Sequence, residues 1–243
     1  MINRLEKQIK IPVSACDNAS KLSIQGLFSL FLDMASEHGE MIRLGMDDLA
    51  EKGLIWLVVK TKICIREMPK MLENVTLMTW PERPGVIRCN RCYKMLDGLR
   101  VLAEGKNEWA MLEVETGRPH KLIDAYPEEL EHCNDIACAE PFAKVSDDFS
   151  QCEELLKYKV TSNDIDVSQH MNNVAYIRMV MGAFSCREIA EMNAGVIEAF
   201  YRAQCYEGEI LSIRLRKNEN AYEIGVVKED GKTGAIVRIV SKD

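Results

Sequence analysis

The chain has 243 residues, 47% of them apolar, and a formal net charge of -7. That length holds one large domain or two small ones with a real core, and the composition excludes a disordered chain. The acidic balance excludes nucleic acid as the main partner, and no apolar run approaches the ~20 residues of a membrane span.

Met-Ile-Asn-Arg-Leu-Glu-Lys-Gln at the start lacks the apolar stretch of a signal peptide. The nine cysteines are scattered and odd in number, so they read as reduced thiols. The expected location is the cytoplasm.

The chain opens on an expected strand over Ile9 to Ser14, with Pro12 at a strand end or edge. Asp17, Asn18 and Ser20 offer caps. From Leu22 to about Leu44, Leu27, Leu30, Phe31, Met34, Met41 and Ile42 recur at helical spacing, with Gly39 weakening the end. A short helix follows through Met46 to Glu51, closed by Gly53. Branched residues from Leu54 to Arg66 then predict a long strand, followed by Asn74 to Trp80. Val86 to Leu96 and Arg100 to Val114 flank Asp97-Gly98, a strong hairpin signal. One helix and then a run of antiparallel strands predicts a curved sheet around that helix.

Residues 117 to about 153 are irregular, punctuated by Pro119, Pro127 and Pro141. Such a length predicts some helix within it. The order then restarts. A strand over Leu156 to Val160 leads into a polar run and a helix through about Phe184 or beyond. Strands follow at Val196 to Tyr206, Glu209 to Lys217, Ala221 to Lys228 and Ala235 to Val240, with Asp230-Gly231 between the last two. The halves repeat one plan. Setting Val13 on Val160 puts Asp17 on Asp164, Ala19 on Asp166 and Ser23 on His170, so the first half has the scaffold without the reactive side chains.

The polar run gathers Asp164, Asp166, Ser168, Gln169, His170, Asn172 and Asn173 just before a helix. A helix start offers unpaired N–H groups and the positive end of a dipole, which can hold a carbonyl oxygen or a developing oxyanion. His170 is the histidine among them, the residue type suited to proton transfer at neutral pH.

The stretch Asp164-Ile-Asp166-Val-Ser168-Gln-His170-Met-Asn172-Asn173-Val-Ala-Tyr176 resembles the signature of acyl-carrier-protein thioesterases, Asp-Leu-Asp-Val-Asn-Gln-His-Val-Asn-Asn-Val-x-Tyr. The family's catalytic Asn falls on Ser168. Downstream, Tyr201-Arg-Ala-Gln204-Cys205-Tyr-Glu-Gly208-Glu209 resembles the family's aromatic-x-x-Glu-x-x-x-Gly-Asp segment, with Gln204 at the catalytic Glu and Cys205 at a Cys some relatives carry. A neutral amide can orient water but cannot take its proton.

The resemblance implies an α+β fold of two fused hotdog domains, each an antiparallel sheet wrapped around one long helix. The expected division is 1–125 for the first domain, which would hold much of the acyl chain, 126–153 for a linker, and 154–243 for the catalytic domain. It implies hydrolysis of a fatty acyl-acyl carrier protein thioester in fatty acid biosynthesis, with an acyl carrier protein as partner and no cofactor or metal. The acidic balance leaves any grip on that partner to a local patch such as Arg83, Arg88, Arg91, Lys94 and Lys106. Monomer and homodimer both fit. The alternatives are an acyl-CoA thioesterase on the same fold and an acyl-thioester-binding protein with little turnover. Within the site, Asp166 with His170 is expected to activate water and Gln204 to position it. Ser168 would stand in for the missing Asn, and Asn172 and Asn173 would line the substrate beside the N–H donors. Cys205 as a covalent nucleophile is the competing expectation.

Other candidates carry less. Cys89-x-x-Cys92 has half a zinc spacing, but on a strand its thiols face opposite ways. His132, Cys133 and Cys138 sit in the irregular stretch, His38 lies on the first helix, and His120 has no recognisable partner. The thirteen methionines suit a flexible apolar lining or ordinary core packing.

Overall fold

The computed structural model describes residues 3–218 and 221–242. The chain divides into two compact units, Met1–Glu140 and Pro141–Asp243. In the first, strands β1 (Leu5–Lys10), β2 (Leu54–Ile65), β3 (Asn74–Pro81), β4 (Arg88–Asp97) and β5 (Arg100–Glu113) form an antiparallel sheet in the order β1-β3-β4-β5-β2. Helix α1 (Ile24–Met41) packs on it, and a short α2 (Met46–Glu51) follows. The apolar spacing explains the docking: Leu27, Phe31, Met34, Ala35 and His38 form the buried stripe. Phe31 stacks on Tyr93 with centroids 4.9 Å apart and lies over Gly105, where a side chain would crowd its ring.

The second unit repeats the design. Strands β6 (Glu153–Lys159), β7 (Ala194–Tyr201), β8 (Ile210–Asn218), β9 (Ala221–Lys228) and β10 (Thr233–Ser241) run antiparallel in the order β7-β10-β9-β8-β6. Helix α3 (Asn173–Gly182) is buried on nearly every side, through Ala175, Tyr176, Ile177, Met179, Val180 and Met181. Each unit is a hotdog, the α+β arrangement that the resemblance implies. The Asp97-Gly98 and Asp230-Gly231 hairpins form as expected, each glycine at positive φ.

Several local expectations need correction. The first strand runs earlier than Ile9 to Ser14, and Val13–Ala15 is a 3-10 turn after Pro12. The helix expected to reach Phe184 ends at Gly182. Ser185 then caps a separate helix α4 (Cys186–Met192), exchanging hydrogen bonds with Glu188 in a capping box. The strand expected to reach Tyr206 ends at Tyr201, so Gln204 and Cys205 lie in a loop. The helix expected within residues 117–153 is one short 3-10 turn, Leu122–Asp124, and residues 126–152 contain none. Leu130 and Ala137 pack into the core of the first unit, while Phe142, Val145, Phe149 and Cys152 pack in the second. Phe149 lies so close over Gly225 that a Cβ there would meet its ring at 2.5 Å. Hydrophobic anchoring every few residues replaces regular hydrogen bonding in this stretch.

Candidate active site

Each unit threads a loop from its first strand into its helix, and the two loops match in detail. A 3-10 turn comes first, Val13–Ala15 or Ser162–Asp164. A two-residue bridge then forms, Cys16 with Leu22 or Ile165 with Met171. Ser20 and Gln169 both take left-handed backbone, φ 57° and 63°. Ser23 caps α1 by accepting from Gly26 N–H, and Asn172 caps α3 by accepting from Val174 N–H at 2.8 Å. This pairs Asp17 with Asp166, Lys21 with His170 and Ala15 with Asp164, a register two residues away from the one set on Val13 and Val160.

In the second loop the Asp166 carboxylate ties the others together. Its Oδ1 accepts from the Ser168 N–H at 2.9 Å and from the Ser168 hydroxyl, and its Oδ2 accepts from Asn172 Nδ2 at 3.0 Å. Asn172 therefore joins the carboxylate to the first turn of α3. Asp164, 1% exposed, is the loop's structural anchor. It accepts from the Tyr158 hydroxyl, from Thr161 N–H and Oγ1, and from Arg178 at 2.7 Å. Burial by itself would raise its pKa, but the Thr161 and Arg178 hydrogen bonds outweigh that and hold it below the usual carboxylate range. Sequence reading placed Asp164 in the polar run without assigning it a role. The Thr161-x-x-Asp164 spacing of a capping box was the available signal that it is structural.

His170 is half-buried. Its Nδ1 lies 3.4 Å from the Met171 carbonyl oxygen, and among the described residues no hydrogen bond joins its ring to Asp166. The two share the loop through the Asp166 N–H, which donates to the His170 carbonyl at 3.2 Å.

The loop after β7 reaches this site by backbone. Met171 N–H donates to the Cys205 carbonyl at 2.8 Å, as Leu22 N–H does to Pro69 in the first unit. Gln204 is exposed, its Oε1 accepting from the Tyr206 hydroxyl at 2.7 Å. Cys205 is fully buried beside Tyr176, and Gly234 leaves no room for a Cβ against its sulfur. Burial pushes its thiol up, only partly offset by hydrogen bonding with Tyr176. That is a poor environment for a thiolate nucleophile. Asn173 presents its carbonyl to the Tyr201 hydroxyl at 3.2 Å.

One difference separates the loops. In the first unit Asp17 Oδ1 accepts from both Ala19 and Lys21 N–H, and Met71 N–H donates to the Ser20 carbonyl. Among the described residues neither the Lys21 nor the Met71 bond has a counterpart in the second unit. Among the described residues the His170 N–H, matching Lys21, has no acceptor; the Asn173 N–H at the helix start has none either, like the matching Ile24 N–H of the first unit.

The tandem hotdog is the fold of solved acyl-ACP thioesterases. The enzyme from Bacteroides thetaiotaomicron VPI-5482 superposes with a TM-score of 0.86 at 20% identity, covering 98% of this chain and 97% of that one. The 12:0-ACP thioesterase from Umbellularia californica gives 0.79 at 16% identity, covering 98% and 96%. The acyl-ACP thioesterase N-terminal domain model matches residues 3–130 and the C-terminal domain model residues 149–240. The chain belongs to the acyl-ACP thioesterase family. Oleoyl-acyl carrier protein thioesterase 2 of Arabidopsis thaliana, a chloroplastic protein, is 24% identical over 88% of this chain. Acyl-[acyl-carrier-protein] hydrolase FATB3 of Cuphea viscosissima, also chloroplastic, is 23% identical over 78%. The chain spans 62% and 49% of the lengths of these two relatives.

Proposed function

We propose that the protein hydrolyses the thioester of a fatty acyl-acyl carrier protein, releasing a free fatty acid and the carrier thiol in fatty acid biosynthesis. Family membership supports the reaction class, and the names of the plant relatives support the carrier protein over coenzyme A. The observation that carries the reading is the opened second loop: among the described residues the His170 N–H has no acceptor where Lys21 N–H has one, and it lies next to the Asn173 N–H that a helix start leaves open, beside an imidazole and a fixed carboxylate.

In this reading the two N–H groups receive the thioester carbonyl oxygen and stabilise the tetrahedral oxyanion. With Nδ1–H directed at the Met171 carbonyl, His170 Nε2 carries the lone pair that takes a proton from water. Water adds to the carbonyl carbon, the intermediate collapses, and the C–S bond breaks. The same imidazole returns its proton to the departing carrier thiolate. Asp166 keeps Ser168 and Asn172 in place, and so fixes the helix start rather than serving as the base itself. Gln204 positions the water by hydrogen bonding, and Asn172 and Asn173 flank the substrate. Cys205 has a packing role. No organic cofactor or metal takes part. Nine free cysteines support a reducing compartment, the cytoplasm, and among the described residues no helix is long and apolar enough to cross a membrane.

Thiol release by the pure protein from a panel of acyl-carrier-protein and acyl-CoA thioesters tests the proposal. Faster turnover on the carrier-protein esters is expected. Turnover on coenzyme A esters alone would replace the substrate class, and stoichiometric binding of acyl carrier protein without release would replace the activity.

A further inference from the structure

The stretch from Tyr126 to Glu140 lies on the first unit as a strap, and sulfur supplies much of its hold. The Tyr126 hydroxyl donates to Cys89 Sγ at 3.1 Å, Arg4 to Cys133 Sγ at 2.8 Å, and Ala137 N–H to Cys92 Sγ at 3.4 Å. Trp80 Nε1 donates to the Asp135 carbonyl at 2.8 Å. Near its end, Cys138 meets Cys64 of β2, their sulfurs 3.1 Å apart. Cys138 also contacts the Glu104 carbonyl at 3.3 Å, and the Glu104 carboxylate completes the cluster. The Cys138 backbone sits at φ 48°, a left-handed conformation that a side-chain-bearing residue adopts only when its surroundings hold it there.

Two chemistries suit paired thiols beside a carboxylate: a thiophilic cation or a disulfide. Two thiolates on one zinc, each at about 2.3 Å with tetrahedral angles, stand roughly 3.8 Å apart and want four ligands in a closed site. Here the sulfurs are closer, one S–H is directed at the other sulfur, and among the described residues three ligands gather. The geometry favours sulfur–sulfur bonding.

We propose that Cys64 and Cys138 form a reversible disulfide that clasps the strap onto β2, with a small-molecule disulfide such as oxidised glutathione as the oxidant. Exposure and hydrogen bonding set the order. Cys64 is half-buried and accepts the S–H of Cys138, whereas Cys138 is buried. Hydrogen bonding to Cys64, and then burial, pushes the Cys138 thiol up, so Cys64 reacts first. The Cys64 thiolate attacks one sulfur of the small disulfide, forming a mixed disulfide and expelling one glutathione thiolate. Cys138 then loses its proton to solvent and attacks Cys64 Sγ, expelling the second. Two protein thiols and one oxidised glutathione become one protein disulfide and two reduced glutathiones. The bond joins residues 74 apart in sequence, a long loop for a crosslink to close.

The test treats the full chain with oxidised glutathione and follows intact mass, peptide maps and melting temperature. A Cys64–Cys138 linked peptide, about 2 Da lighter than its reduced parts and restored by dithiothreitol, is expected, with a melting temperature several degrees higher. In Cys138→Ser the Cys64 thiol stops at the glutathione adduct, and in Cys64→Ser the buried Cys138 stays unmodified. Exposed Cys186 reports that the oxidant reached the protein. Glutathione on Cys186 with no Cys64–Cys138 peptide would overturn the proposal. So would one equivalent of zinc in the purified protein protecting both thiols.

Discussion

The two helix-start loops are one design used twice. Both run through a 3-10 turn, an aspartate-capped bend, a left-handed residue and a polar helix cap. Both are pinned by a backbone bond to a second loop that carries matching internal contacts: Lys70 N–H to Glu73 Oε2 in one, Tyr206 N–H to Glu209 Oε2 in the other. They differ in what is left unpaired. The first loop closes its Lys21 N–H on Asp17 and bonds Ser20 to Met71. The second leaves the matching N–H without an acceptor among the described residues, swaps lysine for His170 and methionine for Gln204, and has the buried Asp164 where the first has Ala15. A scaffold that satisfies its own backbone is a structural part. The same scaffold with donors withheld, and held rigid by an added buried carboxylate, can be spent on a ligand.

Exchanges between the loops break the comparison most severely. Writing residues 17–23 in place of 166–172 should fold, because the backbone plan is shared, yet lower thioester cleavage by at least about 1000-fold through loss of both base and oxyanion contacts. The reverse exchange should leave cleavage unchanged. Asp166→Ala frees Ser168 and Asn172 together and should cost roughly 100-fold in kcat, whereas Asp17→Ala should lower the melting temperature without touching kcat. Gln204→Met, which copies the first unit's residue at that place, should cost about 10-fold if the amide only orients water. Asp164→Asn has the smallest effect on turnover at neutral pH and is read by acid unfolding instead. The folded Asp164 pKa lies below the unfolded value of about 3.9, so its stabilisation is present above that pH and is lost as pH falls through the folded pKa. The variant should be less stable at neutral pH and lose less on acidification. An unchanged acid limb in circular dichroism would count against the assignment.

Much of this was open to a reader of the sequence. Asp-Gly pairs fixed both hairpins because a two-residue reversal needs positive φ. The polar run before α3 advertised a capped helix start, and its resemblance to a family signature supplied the fold. The register of the internal repeat was hidden because Asp17 can be set on either Asp164 or Asp166. The capping-box spacing from Thr161, and the hydrogen bonds it makes, distinguish the buried anchor from the loop aspartate. Cys205 fell at the end of an apolar run and read as strand, but the chain leaves β7 at Tyr201 and Met171 claims its carbonyl. The contact of Cys64 with Cys138 was out of reach, since a pair 74 residues apart leaves no local pattern.

The most direct test compares initial rates of carrier-thiol release from one acyl-carrier-protein thioester by the wild type, His170→Ala and Lys21→Ala, each shown folded by its melting curve. The account predicts a loss of 100-fold or more for His170→Ala and a rate within about twofold of wild type for Lys21→Ala. Equal rates for the two variants, or a larger loss at Lys21, would contradict it.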